Sequence, residues 1–216
     1  MGSHDSIEKF HQIYPNLAIE RCNLPMPERT DTVQTRQKSP NNKYRFLFVG
    51  SIHPSKGVHL VLRSFALLQQ HHPNTHLTII GHESTSDIIP SYQRIWKDFS
   101  TSFPNIEWLG SMSHQLVLQQ MLAHNTLVLP SVWPENSPIV IREALQRGMH
   151  VICGNGGSAE LSPSVLRVRP LSVTHLMYRM REVMNLPTQQ PQNYPLPEKT
   201  IAEWITQSFI PTHSVK

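Results

Sequence analysis

Short, largely apolar runs that end on glycine or proline recur through the middle of this chain, most of them followed by a polar loop and a stretch of helical spacing. Phe46-Leu47-Phe48-Val49 stops at Gly50, Leu77–Gly81 and Ile106–Gly110 end on glycine, Thr126–Leu129 stops at Pro130, and Val151-Ile152-Cys153 stops at Gly154. Val165–Val168 makes a sixth run. Runs of this kind suit strands buried on both faces, whereas a half-exposed strand alternates. The helix that opens at Lys56-Gly57 places Val58, Val61, Leu62, Phe65 and Leu68 on one side, at the 3.6-residue spacing of an amphipathic helix. Ser91–Ser102 does the same with Tyr92, Ile95, Trp96 and Phe99, and further helices are predicted over Gln115–Ala123, Pro138–Arg147 and Val173–Met184. No hairpin signal joins consecutive strands. The alternation predicts an α/β fold: a parallel six-stranded sheet, right-handed crossovers and helices on both faces.

This unit is expected over residues 44–185. Residues 1–43 are polar and proline-punctuated, with a short helix expected over Ser6–Tyr14 and a connector over Thr30–Asn42. Residues 186–216 read as a linker carrying Pro187, Pro191, Pro195 and Pro197, then a helix over Glu198–Phe209 with Ile201, Trp204, Ile205 and Phe209 as its apolar stripe. An apolar fraction of 38% indicates a real core. No run reaches the ~18 apolar residues of a spanning helix, and the N-terminus has no charged-then-apolar leader, so a reducing, cytoplasmic setting is expected. Cys22 and Cys153 form neither a disulfide framework nor a metal set, and among the thirteen histidines His71, His72 and His76 flank a loop with no cysteine or carboxylate at ligand spacing. The net charge of +4 suits an anionic ligand or a peripheral contact with acidic lipid. The scattered basic residues, with no interleaved aromatics, argue against nucleic acid.

In a sheet of this kind ligands sit at the carboxyl ends of the strands, where the strand order reverses. The segment from Pro130 to Leu145 is the most informative part of that rim. It leaves a strand, turns through Trp133-Pro134-Glu135-Asn136, and restarts as a helix with Ser137 expected as N-cap and Pro138 as first helical residue. Free amides and the positive dipole end of such a helix favour an anion, a diphosphate for example. Glu135 and Glu143 bracket the helix start, and carboxylates around an anion site are explained by a ligand that also carries hydroxyls. After the first strand stands Gly50-Ser51-Ile52-His53-Pro54-Ser55-Lys56-Gly57, which is neither a dinucleotide fingerprint nor a Walker loop. There Gly50 lets backbone approach a ligand, and Lys56 sets a point charge near a phosphate.

Taken in order, Val49-Gly50-x5-Lys56-Gly57-Val58, Leu77-x-Ile79-Ile80-Gly81, Leu109-Gly110, Glu135-x7-Glu143-Ala144 and Gly156-Gly157-x2-Glu160-Leu161 resemble the C-terminal, donor-binding domain of the GT-B retaining glycosyltransferases of family 4, the glycosyltransferases group 1. The resemblance covers roughly residues 44–170 and implies a Rossmann-like domain that binds a UDP-, GDP- or ADP-sugar without metal or organic cofactor. It implies that Lys56 neutralises the diphosphate, that Glu135 contacts the transferred sugar beside the anomeric carbon, and that Glu143 accepts hydrogen bonds from the ribose. Glu135 and Lys56 are thus the catalytic candidates. Main-chain groups from Asn136 and Ser137 through Pro138 and Ile139 meet the phosphates, and Leu109 and Gly110 line the base pocket.

Two departures stand out. The family commonly has an arginine directly after the first glycine; this chain has Ser51, with His53 as the nearby substitute. The family also has an N-terminal acceptor-binding domain, expected here in cis or on a separate chain, without which transfer is expected to fail. Tyr14-Pro15-Asn16-Leu17 and Leu24-Pro25-Met26-Pro27 resemble the connector to it. A non-enzymatic nucleotide-sugar-binding or regulatory module is the alternative reading, with Ser51 as its mark.

Overall fold

The computed structural model describes residues 12–16, 43–82, 91–133, 135, 138–154 and 165–192. Among these, β1 (Tyr44–Val49), β2 (Thr75–Ile80), β3 (Ile106–Gly110), β4 (Thr126–Leu129), β5 (His150–Cys153) and β6 (Val165–Arg167) form one sheet in the order β3-β2-β1-β4-β5-β6. Every pairing is parallel. The connections carry α1 (Val58–Gln69), α2 (Tyr92–Ser100), α3 (His114–Ala123) and α4 (Ile139–Gln146), and α5 (Val173–Val183) follows β6. Right-handed crossovers put α1 and α2 on one face and, after the order reverses, α3 and α4 on the other. α5 returns to the first face, where it lies against α1. This is the Rossmann-like α/β architecture expected, with each strand within two residues of its predicted bounds.

The apolar runs are strands because both of their faces are covered. Phe46, Leu47 and Phe48 are all buried, as are Leu127, Val128 and Leu129 of β4 and Val151, Ile152 and Cys153 of β5. Burying each large side chain contributes roughly 1.5–3 kcal/mol. α1 supplies the matching surface from Val58, Val61, Leu62, Phe65 and Leu68, and the Phe65 ring meets that of Phe46 edge-on at 6.3 Å. At α2 the expected stripe is only partly used: Tyr92 is buried and Trp96 and Phe99 pack against the core, but Ile95 is exposed.

Polar anchors tie the layers together. His124, at the end of α3, is buried; its Nδ1 lies 2.6 Å from the Gln120 carbonyl and its Nε2 2.9 Å from Thr78 Oγ1. A carbonyl can only accept, so Nδ1 carries the proton and Thr78 donates to Nε2. α4 ends as expected at Gly148 (φ +69°), whose N–H bonds to Leu145 while that of Met149 bonds to Ala144, the paired pattern of a left-handed helix stop. Residues 186–192, expected as the first part of a linker, run against this end of the sheet. Gln192 N–H donates to the Leu145 carbonyl at 3.1 Å, and His150 Nε2 to the Pro187 carbonyl at 3.1 Å. Of the helix expected over Ser6–Tyr14, Gln12 and Ile13 are helical and Tyr14 is not; residues 6–11, the 30–42 connector and the C-terminal helix over Glu198–Phe209 lie outside the described residues.

Backbones approach closely at the carboxyl rim. A Cβ on Gly81 would fall 1.8 Å from the Gly50 carbonyl oxygen, so Gly81→Ala is expected to push β1 and β2 apart. The cost should be about 1–3 kcal/mol, as for other overpacked sites, read as a lower denaturation midpoint.

A second prediction concerns pH. His59 Nδ1 lies 2.7 Å from the Tyr92 hydroxyl, which also accepts the His59 N–H at 3.3 Å. Burial pushes the Tyr92 phenol up to about 12, so it keeps its proton and donates to a neutral imidazole. Burial, and secondarily the charge of Arg63, holds His59 below its usual 6.5. Below 6.5 the unfolded chain binds a proton that the folded chain refuses, so stability is full above that value and falls as pH drops toward the folded pKa. Denaturation midpoints at pH 8 and pH 5.5 should therefore differ more in the wild type than in His59→Gln, which keeps an acceptor but cannot titrate. Equal differences would refute the assignment.

Candidate functional site

The reversal in strand order falls between β1 and β4, which are neighbours although β2 and β3 intervene in sequence. The loops leaving these strands therefore meet above the crevice. After β1 the chain turns at Ser51, whose carbonyl accepts from His53 N–H at 2.9 Å. It then makes a single 3-10 turn over Pro54–Lys56. His53 caps this turn: its Nδ1 accepts from Ser55 N–H at 3.2 Å and lies 2.7 Å from Ser55 Oγ. Gly57 then swings to φ +75°, and its carbonyl receives the first amides of α1.

This corrects one expectation. Lys56 does not begin α1 but closes the 3-10 turn, two residues before Val58, because the His53 cap and Pro54 start a tighter helix that the left-handed glycine ends. Gly57 has a second reason to lack a side chain, since a Cβ there would lie 2.4 Å from the Pro130 carbonyl oxygen.

The loop after β4 packs onto this turn. Val132 N–H donates to the Ser55 carbonyl at 2.8 Å, and Trp133 N–H reaches the same oxygen at 3.4 Å. With the main chains so joined, the Glu135 carboxylate comes down on Lys56, and Oε1 forms an ion pair with Nζ. The same Oε1 accepts from Ser131 Oγ at 2.9 Å. Ser131 is almost fully buried, so it holds the carboxylate from the protein side. Both groups of the pair are largely covered, with 30% of the Lys56 side chain and 15% of that of Glu135 exposed. An ammonium has three donors. One serves Glu135, which leaves two for a ligand.

α4 starts one residue later than expected. Pro138 is the N-cap (φ −65°, ψ 114°) and makes no side-chain cap bond, and Ile139 is the first helical residue, half exposed at the rim. A proline fits there because the N-cap position already has non-helical backbone and its carbonyl, not its amide, enters the helix; Ile141 N–H bonds to it at 3.1 Å. Asn136 and Ser137 lie outside the described residues, as do Gly156, Gly157, Glu160 and Leu161.

Glu143 is buried in the second turn of α4, and its Oε1 lies 2.5 Å from Nε2 of His114, the exposed first residue of α3. The loop before α3 leaves β3 at Leu109 and Gly110. Gly110 adopts φ +69° with open space where a Cβ would be, and its carbonyl accepts from Gly81 N–H at 2.9 Å.

The structure thus brings Gly50, Ser51, His53, Lys56 and Glu135 to the β1/β4 crevice, with Pro138 and Ile139 at its edge. Leu109 and Gly110 stand at the end of β3 beyond β2, and the His114–Glu143 contact links that side to α4. Sequence reasoning missed Ser131 and His114. Ser131 follows the strand directly, where a rim serine invites attention; His114 carries no local signal, because its partner is 29 residues away on another helix. Val132, Trp133 and Ile139 are exposed apolar side chains beside the pair. Another concavity, of about 640 Å³ and lined by Arg45, His76, Lys97 and Glu107, lies at the opposite, amino rim. Among the described residues no group of three or more His, Cys, Asp or Glu side chains could hold a metal ion, and no helix is long and apolar enough to cross a membrane.

Comparison with known proteins agrees with this fold. The fold is similar to that of a UDP-forming α,α-trehalose-phosphate synthase from Burkholderia xenovorans, with a TM-score of 0.58 and 16% identity over 68% of this chain and 38% of that one. It is equally similar to Anabaena HepE in complex with UDP and glucose, with a TM-score of 0.58 and 20% identity over 67% of this chain and 39% of that one. A glycosyltransferase from Rickettsia africae has a TM-score of 0.57 and 16% identity over 84% of this chain and 42% of that one. The chain thus spans about two fifths of the length of these GT-B relatives. No curated protein matches it significantly. The family described as Glycosyl transferases group 1 matches residues 30–161, more than half of the 216 residues, and the chain belongs to that family.

Proposed function

We propose that this chain is the donor-binding half of a retaining glycosyltransferase, which takes a nucleoside-diphosphate sugar and passes the sugar to an acceptor hydroxyl held by a second domain, in cis or in trans. One observation carries the reading. Lys56 and Glu135, 79 residues apart, meet at the switch point of the sheet beside the start of α4, where a diphosphate would find a cation and open amides together. As the bond between the anomeric carbon and the phosphate oxygen breaks, negative charge grows on the diphosphate. The remaining donors of Lys56 and the first amides of α4 meet that charge, which is the larger part of what such a site does for the rate. The reading needs neither a metal ion nor an organic cofactor for this step. Glu135 turns its second oxygen to the hydroxyls of the sugar, Glu143 to those of the ribose, and Leu109 and Gly110 border the base. The relative solved with UDP and glucose makes UDP the first ligand to try, with GDP and ADP beside it. The reading places the work in the cytoplasm, with acidic lipid as a surface the +4 chain can approach.

A non-enzymatic binding module remains the second reading, favoured by one observation: Ser51 brings no charge to the loop, and the Lys56 ammonium is already paired. Donor hydrolysis separates the two. A chain that binds the nucleotide sugar but never releases its sugar, with or without an acceptor-binding domain added, is a binding module.

Calorimetric titration tests the assignments. Lys56→Ala should weaken the preferred nucleoside diphosphate about 10- to 100-fold, the range of a lost charge-assisted bond or two. Unchanged affinity would remove Lys56 from the phosphate site. Glu135→Ala should act in opposite directions on two ligands: free diphosphate binds as well or better, because Lys56 is released, while the nucleotide sugar loses its added affinity. Ser131→Ala should reproduce the second effect in weaker form, by freeing the carboxylate to rotate. A loss shared equally by both ligands would contradict the role given to Glu135.

A further inference from the structure

The Glu143 carboxylate is held from one side only. Its side chain is 11% exposed, and Oε1 lies 2.5 Å from His114 Nε2. Arg147, one turn further along the helix, donates to the Glu143 main-chain carbonyl at 3.1 Å. Among the described residues no other side chain donates to the carboxylate. A carboxylate accepts at both oxygens, and a buried one that leaves an oxygen unsatisfied loses free energy. An oxygen kept at the rim with no protein donor is therefore available to a ligand's hydroxyls. The bond also decides the state of His114: toward a carboxylate, Nε2 must carry the proton.

We infer that His114 is a positioning residue for ribose recognition. By donating to Oε1 it fixes the rotamer of Glu143 so that Oε2 faces the vicinal hydroxyls of the nucleoside, and the site then favours ribonucleotides over their deoxy counterparts. The inference rests on the donor-site reading above and adds to it a residue, an atom and a selectivity. A ligand without the hydroxyl forgoes the bond to Oε2, and a lost hydrogen bond of this kind is the origin of strong discrimination against analogues that lack the group. His114 also opens α3, four residues after Gly110, so the bond couples the loop beside the base to the group that reads the sugar.

The test compares UDP, GDP and ADP with their 2′,3′-dideoxy analogues by calorimetry on the wild type, His114→Ala and His114→Gln. The wild type should prefer the ribonucleotide by about tenfold or more, the scale of a lost hydrogen bond to a charged group. His114→Ala should remove most of that preference by weakening the ribonucleotide alone, with the dideoxy affinity unchanged. His114→Gln, whose amide can still donate, should restore part of it. His114 is mostly solvent-exposed, so these variants should keep the thermal midpoint of the wild type. A preference that survives His114→Ala, or an equal loss for both ligands, overturns the inference while leaving the donor site standing. A wild type that binds the diphosphates without discriminating also overturns it alone. A wild type that binds none of them overturns the donor-site reading and the inference together.

Discussion

The contact between the loop after β1 and the loop after β4 governs what this rim can do. Parallel order brings the two strands side by side, but the main chains above them touch for local reasons. Pro130 reaches over a glycine that has no Cβ to block it, and the Ser55 carbonyl takes the amides of Val132 and Trp133. Main-chain bonds of this kind do not depend on side-chain rotamers, and they bring Lys56 and Glu135 within reach of each other. The placement of the pair rests on the loop contact more than on the ion pair, which on its own would be a weak constraint.

The ion pair matters in a different way. Without a ligand, Lys56 and Glu135 satisfy each other and Ser131 completes the set, so the partly covered crevice carries no uncompensated charge from this pair. An incoming diphosphate does not fill a vacant cation site. It must share the ammonium with a carboxylate that repels it. On the donor-site reading, further affinity would come from the α4 amides and from the nucleoside at the far end. This arrangement favours a ligand with hydroxyls next to its phosphates over inorganic diphosphate, because a sugar hydroxyl gives Glu135 something to accept.

Period and composition revealed the strands because burial on both faces leaves no alternative to apolar residues such as Phe46-Leu47-Phe48 or Leu127-Val128-Leu129. The helix ends were less legible. Lys56-Gly57 looks like a helix start, but the His53 side chain, bonding back to Ser55, and Pro54 divert it into a 3-10 turn that Gly57 ends. At Pro138 the sequence favours N1 while the structure uses N-cap, since proline's missing amide suits both. Long-range partners were the hardest to see. Glu135 and Glu143 stand out through their spacing, but Ser131 and His114 act through contacts that no period encodes, and the second crosses from one helix to another.

That difference has a physical origin. A strand or a helix face is specified by many residues, each of which must be apolar, so the pattern repeats and can be read. A binding group is specified by one residue and its one or two partners, and the partners may come from any element the fold brings near. Glu143 illustrates the point: its position on α4 follows from local sequence, but which of its oxygens is engaged by the protein depends on His114, placed there by the crossover from β3 to β4. On the donor-site reading the glutamate marks where a ligand's hydroxyls would sit, and the histidine sets which of its oxygens would accept them.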